Sequence, residues 1–185
     1  MALGFFTLAG DAPPGASDAL LADLAARLAQ GGLRVAGAVQ INTSTKAREA
    51  LRAGIAPDPD DICDMDLAVL GDDGPAIRIS QSLGPGSSGC RLDTGALQLA
   101  AGRVAARLDQ GADLVILTKF GKQEAFGRGF RDVIGQALGA GLPVLLHVGP
   151  DQRAAFDDFA AGMAEELHPE AIEDWCRAMV AGAPA

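Results

Sequence analysis

The stretch Gly10-Asp11-Ala12-Pro13-Pro14-Gly15-Ala16-Ser17 decides how the rest of the chain is read. It has the Gly-x-x-x-x-Gly-x-Ser spacing of a phosphate-binding P-loop but lacks the lysine that precedes the hydroxyl. Residues 3–9 before it are continuously apolar, as in a strand buried on both faces. Leu20, Leu21, Leu24 and Leu28 after it share one helical face, with Ser17 or Asp18 read as the cap and Gly31-Gly32 as the stop. Strand, glycine loop and helix thus follow in the order a phosphate cradle needs. In a working P-loop the lysine reaches the β- and γ-phosphates and the hydroxyl holds Mg²⁺. Here Ala16 stands in the lysine's place and Ser17 keeps the hydroxyl. Gly10 and Gly15 let the backbone curl with its N–H groups inward, whereas Pro13 and Pro14 remove two donors. The stretch is either an anion site whose charge comes from elsewhere or a strand-to-helix turn.

The totals narrow the choices. At 185 residues the chain reads as one domain, residues 1–185, large enough for a core. It has no Tyr and one Trp, so that core is expected to be aliphatic. A net charge of −9 argues against non-specific binding to nucleic acid or to anionic membrane. Cys63, Cys90 and Cys176 are far apart and form no C-x-x-C pair, which suggests neither a zinc site nor a disulfide framework; no metal site is expected. The absence of an export signal and of a long apolar span, with reduced thiols, points to the cytoplasm.

Further along, residues 33–41 read as a second strand, residues 45–53 as a short basic helix, and residues 57–61 as turn chemistry. Residues 64–70 and 76–81 alternate around Gly71-Asp72-Asp73-Gly74, the pattern of an antiparallel hairpin. A second glycine-rich loop follows, and Asp93 or Thr94 then caps a helix to about residue 110. Residues 112–117 and 143–148 read as buried strands, the first leading into a charged loop at 118–124. Helices are expected near 130–138, 152–161 and 169–180, the last two joined by a looser link. Alternation of strands with helices predicts a three-layer α/β fold with a mostly parallel sheet and an antiparallel hairpin, and the spacing of the first glycine loop makes the expected fold P-loop NTPase-like. Ligands of such sheets bind outside the carboxyl ends of the strands. The loops at 10–17, 40–44, 81–91 and 118–128 are therefore the ones to watch, and they are also the polar, glycine-rich ones.

Candidate site residues follow from those loops. Where a P-loop enzyme ends its third strand with an Mg²⁺-binding Asp, this chain has Thr118-Lys119. Lys119 is placed to send its ammonium into the space that Ala16 leaves, or else it is a surface lysine paired with Glu124. Gln81, Ser82, Gly86, Ser87 and Ser88, with Arg91, provide hydroxyls, amides and a guanidinium suited to an oxyanion, with Arg128 as a second cationic partner. Cys90 reads as a buried thiol, and His147 and His168 as structural. Asp64 and Asp66 share a solvated hairpin face, and Trp175 and Met179 serve packing or a dimer contact.

Three runs carry a resemblance: Cys63-Asp64-Met65-Asp66-Leu67; Ile79-Ser80-Gln81-Ser82-Leu83-Gly84-Pro85-Gly86-Ser87-Ser88-Gly89-Cys90-Arg91-Leu92-Asp93; and Lys119-Phe120-Gly121-Lys122-Gln123-Glu124-Ala125-Phe126-Gly127-Arg128-Gly129-Phe130-Arg131. They resemble a bacterial family catalogued as a domain of unknown function, over almost the whole chain. Its members often accompany molybdenum transport or molybdenum enzyme genes, which implies a link to molybdate. That family is distantly similar to small P-loop nucleoside triphosphatases whose Walker B motif reads Asp-Glu-Ile-Gly-Pro-Met-Glu. On residues 118–124 the motif matches at Gly121 and Glu124 and loses both leading acids.

The sequence thus points to a protein that binds a nucleotide phosphate or an oxyanion such as molybdate, as an accessory in molybdenum metabolism. Gly10, Gly15 and Ser17 form the cradle, Ser82–Ser88 the hydroxyls, and Lys119, Arg91 and Arg128 the charge. One alternative is an active nucleoside triphosphatase, with Lys119 replacing the loop lysine and Glu124 positioning water. Another is an interaction module with a vestigial P-loop. The expected partners are a small anion or nucleotide, a second copy of the chain, or a molybdenum-pathway protein.

Overall fold

The computed structural model describes residues 2–42, 65–81 and 91–182, without the side chains of Asn42 and Arg91. Five segments form the parallel heart of a sheet: β1 (Leu3–Phe6), β2 (Val35–Asn42), β7 (Leu114–Phe120), β8 (Val144–Val148) and β9 (Ala164–Glu166). The hairpin adds β3 (Met65–Leu70) and β4 (Ile77–Arg78), and the sheet order is β4-β3-β2-β7-β8-β1-β9. β3 runs antiparallel to β2, and every other pairing except that of β4 is parallel.

Apolar residues on both faces of the strands explain the layers. Leu114, Ile116 and Leu145 join Phe6 on one face, against Leu21, Leu24 and Leu28 of α1 (Ala16–Gln30) and Trp175 of the last helix, α6 (Ile172–Ala181). Val115, Leu117, Val144 and Leu146 face the other way. There they meet α2 (Thr94–Asp109), α4 (Arg131–Gly139) and α5 (Arg153–Ala160). Period-2 alternation thus sends one apolar run into two cores. The three-layer α/β fold with a mostly parallel sheet and an antiparallel hairpin stands as expected.

Local readings change in four places. Gly15, left-handed at φ 80°, is the N-cap of α1, so Ser17 and Asp18 lie inside its first turn and neither caps it. The segment 76–81 divides: β4 stays in the main sheet, while β5 (Ser80–Gln81) pairs with β6 (Arg91–Leu92). Ile79 is the pivot, donating to the Met65 carbonyl at 2.8 Å and accepting from the Asp93 amide at 2.7 Å. Thr118, Lys119 and Phe120 belong to β7, not to the loop after it. The link between the last two helices contains β9, which pairs with β1. Asp93 does cap α2, its Oδ1 accepting from the Ala96 amide at 2.9 Å. The basic helix at 45–53, the turn at 57–61, Asp64 and the loop 82–90 lie outside the described residues.

Candidate functional site

The carboxyl ends of β1, β2, β7 and β8 point the same way, and β8 lies between the loop-bearing β1 and β7. At that edge α1 begins. Ala12 donates to the Ala9 carbonyl and Ala16 to the Pro13 carbonyl, each at 3.0 Å, so two loop amides are spent on turns. With Pro13 and Pro14 lacking N–H groups, the loop offers a phosphate fewer donors than its spacing promised. Gly10 is exposed, while Gly15 and Ser17 are half-buried, and the Gly15 carbonyl accepts from the Ala19 amide at 3.0 Å.

Sequence reasoning missed the residue at the centre of the edge. Asp18 is buried in the first turn of α1, where it accepts the Thr118 hydroxyl at 2.6 Å and the Gln40 amide at 3.2 Å. Those partners come from β7 and β2, so one carboxylate ties the start of α1 to two strand ends. A P-loop enzyme places the hydroxyl on the helix and the acid at the strand end. This chain keeps the Ser17 hydroxyl on the helix, adds the acid Asp18 beside it, and has a second hydroxyl, Thr118, at the strand end. The only signal in the sequence was the loss of the acid at 118, because Asp18 and Thr118 are too far apart for spacing to join them.

A bulge shapes the tip of β7. Leu117 pairs with Leu146 and Phe120 with Val148, so three steps on β7 match two on β8. Leu117 and Phe120 consequently reach the same core, although a regular strand would put residues three apart on opposite faces. Thr118 turns to Asp18, and Lys119 is exposed. His147 of β8 is half-buried, with its ring 5.3 Å from that of Phe6. Burial pushes its pKa below the ordinary imidazole value, Asp18 opposes that shift and Lys119 adds to it. His147 therefore lies in the field of both, and the tip of β7 and the start of α1 share one electrostatic neighbourhood.

The other expected residues fall into two groups. Gln81 is exposed on β5, hydrogen-bonded through its side chain to Asp93, in register with Arg91 of β6. Ser80 Oγ accepts from the Met65 amide at 3.1 Å, and Met65 pairs with Asn42 at the carboxyl end of β2, so this small sheet stands at the site edge. Ser82, Gly86, Ser87 and Ser88, Cys63 and Cys90, and the Arg91 side chain lie outside the described residues.

Glu124 and Arg128 belong to the loop after β7. Glu124 is buried in α3 (Lys122–Ala125), where its Oε2 accepts from the Gly121 amide at 2.8 Å and its Oε1 from the Phe130 amide at 2.9 Å. Both oxygens thus staple backbone and leave little for a water molecule. Gly129 makes the staple feasible. Its φ is +60°, and a Cβ there would overlap Glu124 Oε1. Arg128 is exposed on this loop. Burial pushes the Cys176 thiol up to about 12, and His168 is exposed. Asp66 pairs across the hairpin with Arg78.

An Mg²⁺ site of the P-loop kind does not fit these residues. Thr118 stands where the strand-end acid would be, and the buried acid beside it, Asp18, already accepts from Thr118 and Gln40. Among the described residues no group of three or more His, Cys, Asp or Glu is arranged to hold a metal ion.

Fold and site edge together define the class: an α/β protein with a P-loop NTPase-like fold. The chain belongs to the family described as protein of unknown function (DUF2478), whose model matches residues 7–175. Over 162 residues it is 37% identical to the molybdenum import ATP-binding protein ModC 2 of Bradyrhizobium diazoefficiens. The match covers 86% of this chain but 17% of that relative. Its fold is similar to that of THEP1 from the hyperthermophile Aquifex aeolicus, with a TM-score of 0.58 and 16% identity over 97% of this chain and 96% of the other. No helix among the described residues is long and apolar enough to cross a membrane.

Proposed function

We propose that this protein binds an anion, a nucleotide phosphate or an oxyanion such as molybdate, at the carboxyl edge of its sheet, as an accessory in molybdenum metabolism. It does so without the ordinary P-loop ATPase reaction. The observation that carries the reading is the pairing at this edge: Asp18 on the helix meets Thr118 at the strand end, with Lys119 next to Thr118. Losing the loop lysine and the strand-end acid removes the usual grip on phosphate and Mg²⁺. Lys119 restores a positive charge from the opposite wall.

In this reading Gly10, Gly15 and Ser17 line one wall, Lys119 and Arg128 another. Gln81, Ser82, Gly86, Ser87, Ser88 and Arg91 are assigned to the third on their chemistry. Identity to a relative named for molybdenum import supports the pathway, and a cytoplasmic place is part of the proposal. Glu124 acts as a staple, not as the group that orients water, which weighs against a triphosphatase with relocated catalytic groups. Calorimetric titration with molybdate, tungstate, sulfate and ATP, each with Mg²⁺ or with EDTA, tests the proposal. Binding of at least one anion in EDTA, with no phosphate released from ATP, is expected; no heat with any of them would remove it.

A further inference from the structure

The cations of this acidic chain are unevenly matched. Arg27, Arg34, Arg78, Arg103, Arg153 and Arg177 each hold a carboxylate. Arg107, which donates to the Gln110 side chain, and Lys119, Lys122, Arg128 and Arg131 have no ion pair among the described residues, and the last four lie within one short segment at the exit of β7. Arg131 is spent locally, donating to the Glu124 carbonyl at 3.2 Å and lying 4.5 Å over the Phe159 ring. The other three are exposed. In a protein of net charge −9, a run of cations outside any ion pair is a local attraction for anions.

The same segment displays an aromatic ring. Phe126 is 77% exposed, whereas each other phenylalanine is buried or half-buried. It does not sit on a loose tip. The Glu124 carboxylate grips the amides of Gly121 and Phe130 at 2.8 and 2.9 Å, so the two ends of the loop meet at one group. Inside that closure, Gly127 donates to the Glu124 carbonyl at 3.1 Å and Arg128 to the Gln123 carbonyl at 2.8 Å. A buried charge thus fixes the backbone on both sides of a solvent-facing ring. A preorganised aromatic beside unpaired cations suits a ligand with a flat apolar face and an anionic end.

We infer that the ligand carries a nucleobase, stacked on Phe126, with its phosphates held by Lys119 and Arg128. This rests on the anion site proposed above and chooses the nucleotide over the bare oxyanion. Stacking on the ring supplies the preference, and the cations supply the attraction common to every polyphosphate.

Titration of the whole chain with ATP and with inorganic tripolyphosphate, in EDTA, tests the inference. The wild type is expected to prefer ATP by roughly tenfold or more, the range measured for removing one base–aromatic stack. Phe126→Ala should abolish that preference and leave tripolyphosphate binding unchanged, and Phe126→Trp should restore it. A wild type that binds the two equally, or a Phe126→Ala protein that keeps the preference, overturns the stacking role while the anion site stands. Failure of both ligands to bind overturns the stacking role, and the oxyanion titrations proposed above then decide the anion site. An unchanged thermal midpoint for Phe126→Ala confirms that the fold is not the cause.

Discussion

Replacing Glu124 with glutamine separates two roles for this carboxylate. The substitution is nearly isosteric, but glutamine offers one acceptor and one donor where the structure needs two acceptors. The Gly121 and Phe130 amides both point at the group, at 2.8 and 2.9 Å. One of them must therefore face an NH₂. A hydrogen bond to a charged group contributes about 1.5–3 kcal/mol and a neutral one about 1 kcal/mol. Losing one bond outright and weakening the other costs about 3 kcal/mol, because Glu124 and Phe130 are buried and water replaces little. For a chain of this size that is a fall in Tm of roughly 6–12 °C. Urea unfolding of wild type and Glu124→Gln gives the difference directly. A variant within about 0.5 kcal/mol of wild type would refute the staple. If the variant also lost a phosphate-releasing activity that the wild type possessed, the water-orienting role would return.

Two further predictions concern the site edge. Thr118→Val removes the hydroxyl that Asp18 accepts at 2.6 Å and leaves a buried carboxylate one partner short. A loss of about 2 kcal/mol is expected from urea unfolding, and Thr118→Ser should recover most of it; a neutral valine variant would contradict the pairing. His147 supplies a pH test, since burial holds its pKa below the ordinary imidazole value. The unfolded chain takes up the proton first on acidification, so this contribution to stability is present above the ordinary pKa and is lost as pH falls toward the folded one. Unfolding midpoints should therefore drop more between about pH 7.5 and 5.5 for wild type than for His147→Gln; equal drops would mean that His147 titrates alike in both states.

The fold was legible because its strands are buried on both faces. Residues 114–117 and 144–146 alternate between two apolar cores, and such runs stand out without any partner in view. β9 did not stand out because it is a three-residue edge strand carrying Glu165 and Glu166, both exposed. Acidic edge residues resist strand-to-strand aggregation but erase the pattern a strand is read by. The end of β7 reads as loop because its polar Thr118-Lys119 sits in a bulge, where alternation slips by one residue.

The site was legible only in part. Ala16 and Thr118 announced what was missing, since a motif has a fixed spacing. Asp18 did not announce what replaced it, because its partners come from strands distant in sequence and brought near by the crossovers. Glu124 fitted a motif position and turned out to hold backbone. A match in residue type at a motif position does not give the direction in which the side chain is used.

The central claim is that the positive charge absent from the loop at Ala16 is supplied by Lys119. Its most direct test is the affinity for ATP in EDTA of wild type, Lys119→Ala and the double variant Ala16→Lys/Lys119→Ala. Removing a charged contact to phosphate should weaken binding by roughly tenfold to a hundredfold. Restoring a lysine at position 16 should recover most of that loss. A Lys119→Ala protein that binds ATP as tightly as wild type would contradict the account.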